Sequence, residues 1–276
     1  MKTTAKSNRK VGISSILLFA GTVVVIVPFY WMLISSIRPL NMIFLEKTLL
    51  PTKPTLLNYL RLFRETLFTR WFLNSMITAS GRTILSLLFC SLGGFAFAKY
   101  EFRGKRLLFM SVLLSLSVPM VATLIPVFAL LAKAGLVDTY WAIILPWSAN
   151  AFGVFMMRQY IASIPSSLLD AGRIDGCTEL GLYWRVVMPI IRPALGALAI
   201  FVFLGAWQDY MWPLIMMRSA DMYTLPVGLS TLRGEYRVEY GMIMAGSFLS
   251  TLPILVVFIA MQRQFIAGLT SGGVKG

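Results

Sequence analysis

The chain has 276 residues, of which 58% are hydrophobic and only 13% are charged. Its mean hydropathy of +0.77 lies far above the balance of a soluble globular domain and indicates an integral membrane protein. The net charge of +14 would suggest nucleic-acid binding in a soluble protein. Here the basic residues crowd the loops beside apolar runs, as membrane topology requires. We therefore expect a lipid bilayer, and no nucleic acid, as a partner.

Several kinds of chemistry lack their usual residues. The chain contains no His, the commonest metal ligand and general base. Its two cysteines, Cys90 and Cys177, form neither a CxxC pair nor a zinc-binding spacing. The sequence also lacks a GxxxxGK[ST] phosphate-binding loop. We expect no metal site, no catalytic residue and no cofactor bound by this chain, so any energy from ATP must come from a partner.

Apolar runs divide the chain into predicted membrane spans, each near the ~20 residues that a helix needs to cross ~30 Å of hydrocarbon. The runs are too long and continuous for barrel strands, so the expected fold class is all-α, in one transmembrane domain covering 1–276. Gly93 and Gly94, with Ala96 and Ala98, give the second span a small-residue face suited to close helix packing. The six predicted spans cover residues 11–37, 72–98, 107–131, 141–157, 194–217 and 242–261.

The distribution of Lys and Arg predicts the orientation of these spans. The segments 1–11, 99–106 and 262–276 hold four, four and two basic residues, whereas the short segment 132–140 holds one. Short basic segments stay in the cytoplasm. The N-terminus, the C-terminus and the polar interval 158–193 are therefore predicted to be cytoplasmic.

Polar residues inside the predicted spans are candidates for function. Arg82 lies within the second span, where a charge either faces protein or a watery cavity or snorkels outward. Trp207, Gln208, Asp209 and Trp212 follow one another closely in the fifth span. They could line a path for polyhydroxylated substrates, because sugars stack on aromatic rings and hydrogen-bond to polar groups. In the alternative, the tryptophans are interfacial anchors and Asp209 caps or pairs at the outer boundary.

The polar interval between Pro165 and Pro193 predicts two short helices. Pro165 and the two serines after it predict a helix start with a hydroxyl available as a cap. Gly176 predicts a turn, Thr178 a cap for the second helix, and Pro189 its end. A helix-turn-helix between two membrane spans suggests a docking element. Apolar residues recur at roughly helical spacing on one side of the first helix, at Leu168, Leu169, Ala171 and Ile174.

This interval resembles the cytoplasmic coupling loop of ABC importer permeases, whose pattern is E-A-A-x-x-D-G followed, after a spacer, by an apolar residue and L-P. The E-A-A positions are Asp170, Ala171 and Gly172, the D-G positions are Asp175 and Gly176, and the L-P positions are Met188 and Pro189. Asp in place of Glu shortens the reach by one methylene, and Gly in place of Ala lowers local helix propensity by ~1 kcal/mol. Further stretches resemble carbohydrate importers of the maltose type, at residues 93–106, 135–146, 155–165 and 262–276.

The resemblance implies a six-helix permease subunit of a type I importer in the bacterial cytoplasmic (inner) membrane, and not an enzyme. It implies that a second permease subunit, expected to form a heterodimer with this one, completes the pathway. Two partner ATPase subunits would bind ATP and Mg²⁺, and an extracytoplasmic binding protein would deliver the solute. The residues implied to couple to the ATPase are Asp170, Ala171, Gly172, Asp175, Gly176 and Pro189. The C-terminal tail is implied to contact the ATPases through Gly268, Gly272, Gly273 and Lys275.

The nature of the solute stays open at this point. Sugars are expected, but polyols and glycerol phosphates are carried within the same family. A competing class is a secondary transporter driven by an ion gradient, which commonly has inverted repeats and intramembrane carboxylates. Only Asp209 meets that description, and no inverted repeat is apparent. An intramembrane enzyme is disfavoured further, because the spans lack His and paired carboxylates.

Overall fold

The computed structural model describes the backbone of residues 4–45, 48–234 and 238–271, and the side chains of 15–45, 48–234 and 238–262. These residues are organised as helices, which confirms the predicted all-α class. The helices are α1 (Thr4–Ser36), α2 (Leu57–Glu65), α3 (Phe68–Lys99), α4 (Lys105–Ser115), α5 (Met120–Lys133), α6 (Tyr140–Ile144), α7 (Ala151–Ala162), α8 (Ser166–Ile174), α9 (Glu179–Leu182), α10 (Met188–Ile190), α11 (Arg192–Trp207), α12 (Met211–Met216), α13 (Leu225–Thr231) and α14 (Tyr240–Ser271).

Three of the described helical segments are long and apolar enough to cross a membrane alone, namely Ser15–Ser36, Phe68–Lys99 and Tyr240–Gln262. Two bent pairs of helices also pass that test when each pair is taken as one span. α4 and α5 meet at 109°, and the helical stretch Glu179–Ile190 meets α11 at 80°. The described residues thus supply up to five spans by length and composition, and the count of six stays a prediction.

The helices differ from the predicted spans at three breaks. α4 ends at Ser115 and α5 begins only after Pro119, because proline lacks the amide that a continuing helix needs. The predicted fourth span is divided between α6 and α7 on either side of Pro146. Asn150 then caps α7 by accepting a hydrogen bond from the Gly153 amide at 2.7 Å. The predicted fifth span is divided between α11, which ends at Trp207, and α12, which begins at Met211.

The described residues up to Phe68 form one compact unit together with Leu229–Leu252. Its polar centre is Asn58 on α2. The Nδ2 of Asn58 donates to the carbonyls of Ser36 at 2.9 Å and Arg38 at 2.8 Å, which holds α2 against the end of α1. The Arg38 side chain is fully buried, with its guanidinium 5.4 Å from the centroid of the Trp31 ring. The single-domain assignment of the whole chain stays a prediction.

The second unit comprises Thr69–Gly228 and the described residues from Pro253 onward. Its hydrophobic core joins α3, α7, α8, α9 and α11. The hydroxyls of Ser91 on α3 and Tyr183 share a buried hydrogen bond of 2.6 Å, so the tyrosine polar group is satisfied inside the core. Buried members of this core include Cys90, Phe95, Met157, Ile161, Leu169, Leu182, Tyr183, Ile191 and Leu198.

α3 and α7 approach each other closely at Gly94. A Cβ added to Gly94 would lie 2.6 Å from the Cβ of Met157 and 2.7 Å from the backbone nitrogen of Arg158, both rigid parts of α7. Gly93 has more room, since the nearest atoms to an added Cβ would be the Val154 methyls at 3.6 Å. The predicted small-residue packing face is therefore confirmed at Gly94.

Replacing Gly94 and Gly93 by Ala should separate packing from helix propensity. Each change gains roughly 1 kcal/mol of intrinsic helix propensity, but Gly94→Ala also forces α7 to move, and overpacking costs about 1–3 kcal/mol. We expect Gly94→Ala to melt at a lower temperature than Gly93→Ala when the transporter is heated in detergent. Equal melting temperatures for the two variants would contradict the close contact at Gly94.

Candidate functional site

The polar interval 165–193 folds as two short helices joined by a tight turn at Gly176. α8 ends in a Schellman motif, in which the Cys177 amide donates to the Gly172 carbonyl at 2.9 Å and the Gly176 amide to the Arg173 carbonyl at 3.0 Å. Gly176 has a φ of +83°, which L side chains rarely adopt. Among the described residues, no atom beyond its chain neighbours would lie within 4 Å of an added Cβ. Backbone conformation, rather than space, therefore requires glycine at this turn.

The two helices begin in different ways. Thr178 is the N-cap of α9, and its hydroxyl accepts a hydrogen bond from the Gly181 amide at 3.1 Å, which confirms the predicted cap. α8 begins at Ser166 directly after Pro165, as expected, but Pro165 itself is the N-cap. Among the described residues no side chain caps this start, so the predicted capping by a serine hydroxyl is wrong.

Pro189 does not end the second helix, which corrects the prediction. It lies in α10, directly after the π-helical turn Tyr183–Val187 that continues from α9. A wide π-helical turn changes the hydrogen-bond register, and proline at a helix start has no amide to leave unpaired. The helical direction changes instead at Ile191, between α10 and α11.

Gly172 is buried against α9. An added Cβ would lie 2.5 Å from Cδ2 of Leu182, whose own side chain is fully buried. The departure from the E-A-A pattern at Gly172 thus coincides with a close approach of the two short helices. Leu169, 2% exposed, completes the inner face of α8.

A charged network stabilises the outer side of the two helices. Arg173 donates to Oδ1 of Asp170 at 2.8 Å and, through Nε, to Oε1 of Glu179 at 2.9 Å. The Tyr100 hydroxyl, at the end of α3, also donates to Glu179. The hydrogen bonds from Arg173 and then Tyr100 hold the pKa of Glu179 below its usual range. Burial and the bond to Glu179 raise the pKa of Tyr100 to about 12, so it remains a donor at neutral pH.

This network was missed by sequence reasoning, although part of it had a signal. Arg173 follows Asp170 by three residues, a spacing that places both side chains on one helix face. The bonds of Arg173 to Glu179 and of Glu179 to Tyr100 join different helices, and no local pattern marks them. The Asp170 side chain remains 61% exposed, so a cation from a partner can still reach it.

Apolar side chains are exposed on the same two helices. The predicted apolar side of α8 is divided, with Leu169 inside the core and Ile174 86% exposed. Leu168 is 46% exposed and Leu180, on α9, is 62% exposed. Large apolar side chains exposed around a carboxylate are typical of a protein-docking surface. We name the α8–α9 element, with the turn at Gly176, the docking knob.

The four residues proposed to line a path occupy different environments. Trp207 is 3% exposed and packs against Phe203 and Phe72, and Trp212 is fully buried with its Nε1 donating to the Ala142 carbonyl at 2.9 Å. Gln208 ends α11 and is exposed, and Asp209 is partly buried. Within this chain the rings therefore serve packing, and the polar groups lie between α11 and α12.

Asp209 pairs with Arg82, which joins α3 to the break after α11. The Arg82 Nη1 lies 3.5 Å from Oδ2 of Asp209, and the two side chains are 16% and 10% exposed. The other carboxylate oxygen accepts from the Trp212 amide at 3.3 Å, at the start of α12. Arg82 thus faces protein, one of the alternatives predicted for it, while its Nε has no hydrogen-bond partner among the described residues.

The tail is described only in part. Gly268 lies within the backbone of α14, while Gly272, Gly273 and Lys275 lie outside the described residues. Its proposed contact with the ATPase stays a prediction.

The chain combines helices that are apolar enough to cross a membrane with a polar pair of short helices at α8 and α9. Residues 90–267 match the family described as the binding-protein-dependent transport system inner membrane component. This range covers well over half of the chain, and the chain belongs to that family.

Individual relatives are named for sugar transport. The chain is 44% identical over 227 residues to the arabinooligosaccharides transport system permease protein of Halalkalibacterium halodurans, covering 82% of this chain and 81% of the relative. It is 37% identical over 250 residues to the lactose transport system permease protein of Rhizobium radiobacter, covering 91% of each. The resemblance to carbohydrate importer permeases found in the sequence is thereby confirmed.

The fold is also found in a solved structure. A crystal structure of a bacterial ABC transporter involved in the import of the acidic polysaccharide alginate aligns with a TM-score of 0.85 at 24% identity, covering 96% of this chain and 100% of that one. At this identity the likeness establishes the importer permease fold and nothing about the solute.

Neutralising Arg82 and Asp209 separately and together should show whether they act as a pair. Removing one partner of a buried pair costs about 3–5 kcal/mol, whereas removing both is often close to neutral. We expect Arg82→Met and Asp209→Asn each to lower the melting temperature of the purified transporter, and the double variant to recover most of the loss. Additive losses would contradict the pair.

Proposed function

We propose that this chain is a permease subunit of an ATP-driven, binding-protein-dependent importer of sugars or sugar-like solutes. The observation that carries the proposal is the docking knob, where the exposed Asp170 and Ile174 stand beside a turn that only Gly176 allows easily. The family membership supplies the transport role. Two relatives are named for the transport of arabinooligosaccharides and of lactose, and these names support sugars as the solute class.

The docking knob is proposed to seat in a cleft of a partner ATPase. Ile174, Leu168 and Leu180 would give the apolar contact, and Asp170 would face a basic residue of the partner. Closure of the ATPases on ATP would then move the knob and switch the bundle between inward-facing and outward-facing states, as a rigid-body change. The chain itself would bind no nucleotide and hydrolyse none. ATP and Mg²⁺ would be held by the partner subunits.

The assembly around the chain is also proposed. A second permease subunit, two ATPase subunits and an extracytoplasmic solute-binding protein would complete the importer, with the tail contacting the ATPases. A solved alginate transporter aligned with this chain at a TM-score of 0.65 contains a bound periplasmic protein, which supports a binding protein here. The excess of basic residues in 1–11 and 99–106 supports cytoplasmic termini and a cytoplasmic knob.

The solute path is proposed to include the break between α11 and α12. Gln208 is exposed there, and its amide is suited to sugar hydroxyls. Asp209 lies beside it, with its carboxylate oxygens held by Arg82 and by the Trp212 amide. Polyols and glycerol phosphates remain the alternative solutes.

Uptake measured with a catalytically inactive ATPase subunit tests the proposed function. Proteoliposomes that contain the complete importer should accumulate labelled oligosaccharide only with ATP and an active ATPase. Uptake that persists with the inactive ATPase and depends on an ion gradient would favour a secondary transporter instead.

Reversing the charge of the docking knob should uncouple it from the ATPase. Asp170→Lys places a positive charge against the basic residue of the partner ATPase and against Arg173. Like-charge contacts at an interface cost several kcal/mol. We expect coupled ATP hydrolysis to fall at least tenfold, while membrane insertion is unchanged.

Two further variants serve as controls for this reversal. Ser167→Lys adds a charge at another exposed position of α8, and Asp170→Glu keeps the carboxylate. Both should retain hydrolysis near the wild-type rate. Normal hydrolysis in Asp170→Lys would contradict the proposed seat.

A further inference from the structure

A second feature of the chain lies outside the proposed coupling and transport sites. A cavity of about 850 Å³ opens between the turn that follows α3, the first turns of α4, and Arg158 on α7. Its volume falls within the range of about 300–1,000 Å³ that is usual for small-molecule sites. The lining residues are Glu101, Phe102, Gly104, Lys105, Arg106, Leu107, Phe109, Met110, Leu113 and Arg158.

The polar part of the cavity is basic. Lys105, Arg106 and Arg158 line it against one acidic residue, Glu101. Glu101 is 90% exposed and pairs with Lys105 at 2.7 Å. The acidic residue of the lining therefore compensates the lysine, and the charges of the two arginines are available to a ligand. The N-terminal end of α4 begins at the same place behind Gly104, and its dipole adds positive potential.

Arg158 is held in place at the wall of the cavity. Its guanidinium stacks on the Phe109 ring at 4.2 Å from the centroid, which fixes its position over the apolar wall. Its Nε is buried and has no hydrogen-bond partner among the described residues. A guanidinium carries five N–H donors in a planar fork, so one that lines the cavity in a fixed position suits a ligand with several acceptor oxygens.

The rest of the cavity is apolar and continues along α4. Phe102, Phe109, Met110 and Leu113 form the walls. Leu107, at the rim, is 73% exposed. Contact with apolar walls does not stabilise a free phosphate or a sugar, whereas it removes the apolar surface of an acyl chain from water.

We propose that this cavity binds an anionic phospholipid, with its phosphate between Arg106 and Arg158 and an acyl chain along α4. The polar turn after α3 joins two apolar helices, so the cavity lies at the level where lipid headgroups meet water, and basic pockets there recognise anionic headgroups. Bound lipid brings together the start of α4 and α7. Because α7 leads directly into the docking knob, the lipid stabilises the knob's attachment.

The proposal is tested with the complete importer purified in a neutral detergent. Short-chain phosphatidylglycerol is titrated against phosphatidylcholine of the same chain length, with binding followed by native mass spectrometry and by the rise in melting temperature. Glycerol phosphate and inorganic phosphate are titrated in parallel as anions without acyl chains. We expect phosphatidylglycerol to bind best and both chain-free anions to bind far more weakly.

Two substitutions and a matched control locate the site. Arg106→Gln removes an exposed lining charge, and Arg158→Gln removes the charge over Phe109. Each should weaken phosphatidylglycerol binding roughly fivefold, which corresponds to about 1 kcal/mol per basic residue. Arg103→Gln makes the same change in the same turn at a residue that does not line the cavity, and it should leave binding unchanged.

Several results would overturn the lipid site. Equal binding of phosphatidylcholine would remove the role of the arginines, and equal binding of inorganic phosphate would leave a simple anion site. Arg106 is exposed, so the Arg106→Gln variant should fold normally. Unchanged lipid binding in this variant would place the lipid elsewhere. The same holds if all three Arg variants lose binding equally, because a general loss of surface charge would then explain it.

Discussion

The close contact of α3 and α7 at Gly94 is the constraint on which the second unit depends. Because Gly94 has no side chain, the backbone of α7 lies against α3, and Met157 and Ile161 enter the core. The same contact holds Arg158 above Phe109, at the basic cavity. One packing contact therefore sets the position of the docking knob on one side and of the lipid cavity on the other.

Polar groups within the apolar chain are satisfied in different ways. The hydroxyls of Ser91 and Tyr183 satisfy each other in the core. Arg82 obtains a carboxylate from Asp209 on a distant part of the chain. The Arg158 guanidinium stacks on the Phe109 ring, and its Nε has no hydrogen-bond acceptor among the described residues. The two arginines differ in what faces the guanidinium charge. Arg82 has a carboxylate from this chain, whereas Arg158 lies over a ring, so its charge is available to an anionic ligand.

The sequence predicted best those features that depend on one residue's own conformation. Gly176 and Thr178 have the predicted turn and cap, because a left-handed φ and a hydroxyl acceptor are properties of the residues themselves. The end assigned to Pro189 was wrong, since the preceding π-helical turn is set by packing. The break before Pro119 was hidden by the high hydropathy of its neighbours. The bond between Tyr100 and Glu179 joins distant segments, which no local pattern can reveal.

The order of the helices connects the knob to the buried ion pair. α9 continues through the π-helical turn and α10 to the 80° bend, and α11 then runs to the break at Gln208. Asp209 follows directly and meets Arg82 on α3. In the proposed function a displacement of the knob would reach this pair through helices that are stiff along their axes. The helical stretch would bend at the π-helical turn, where the hydrogen-bond register changes. The pair connects the far end of that route back to the knob, because α3 leads directly into Tyr100, which donates to Glu179 on α9.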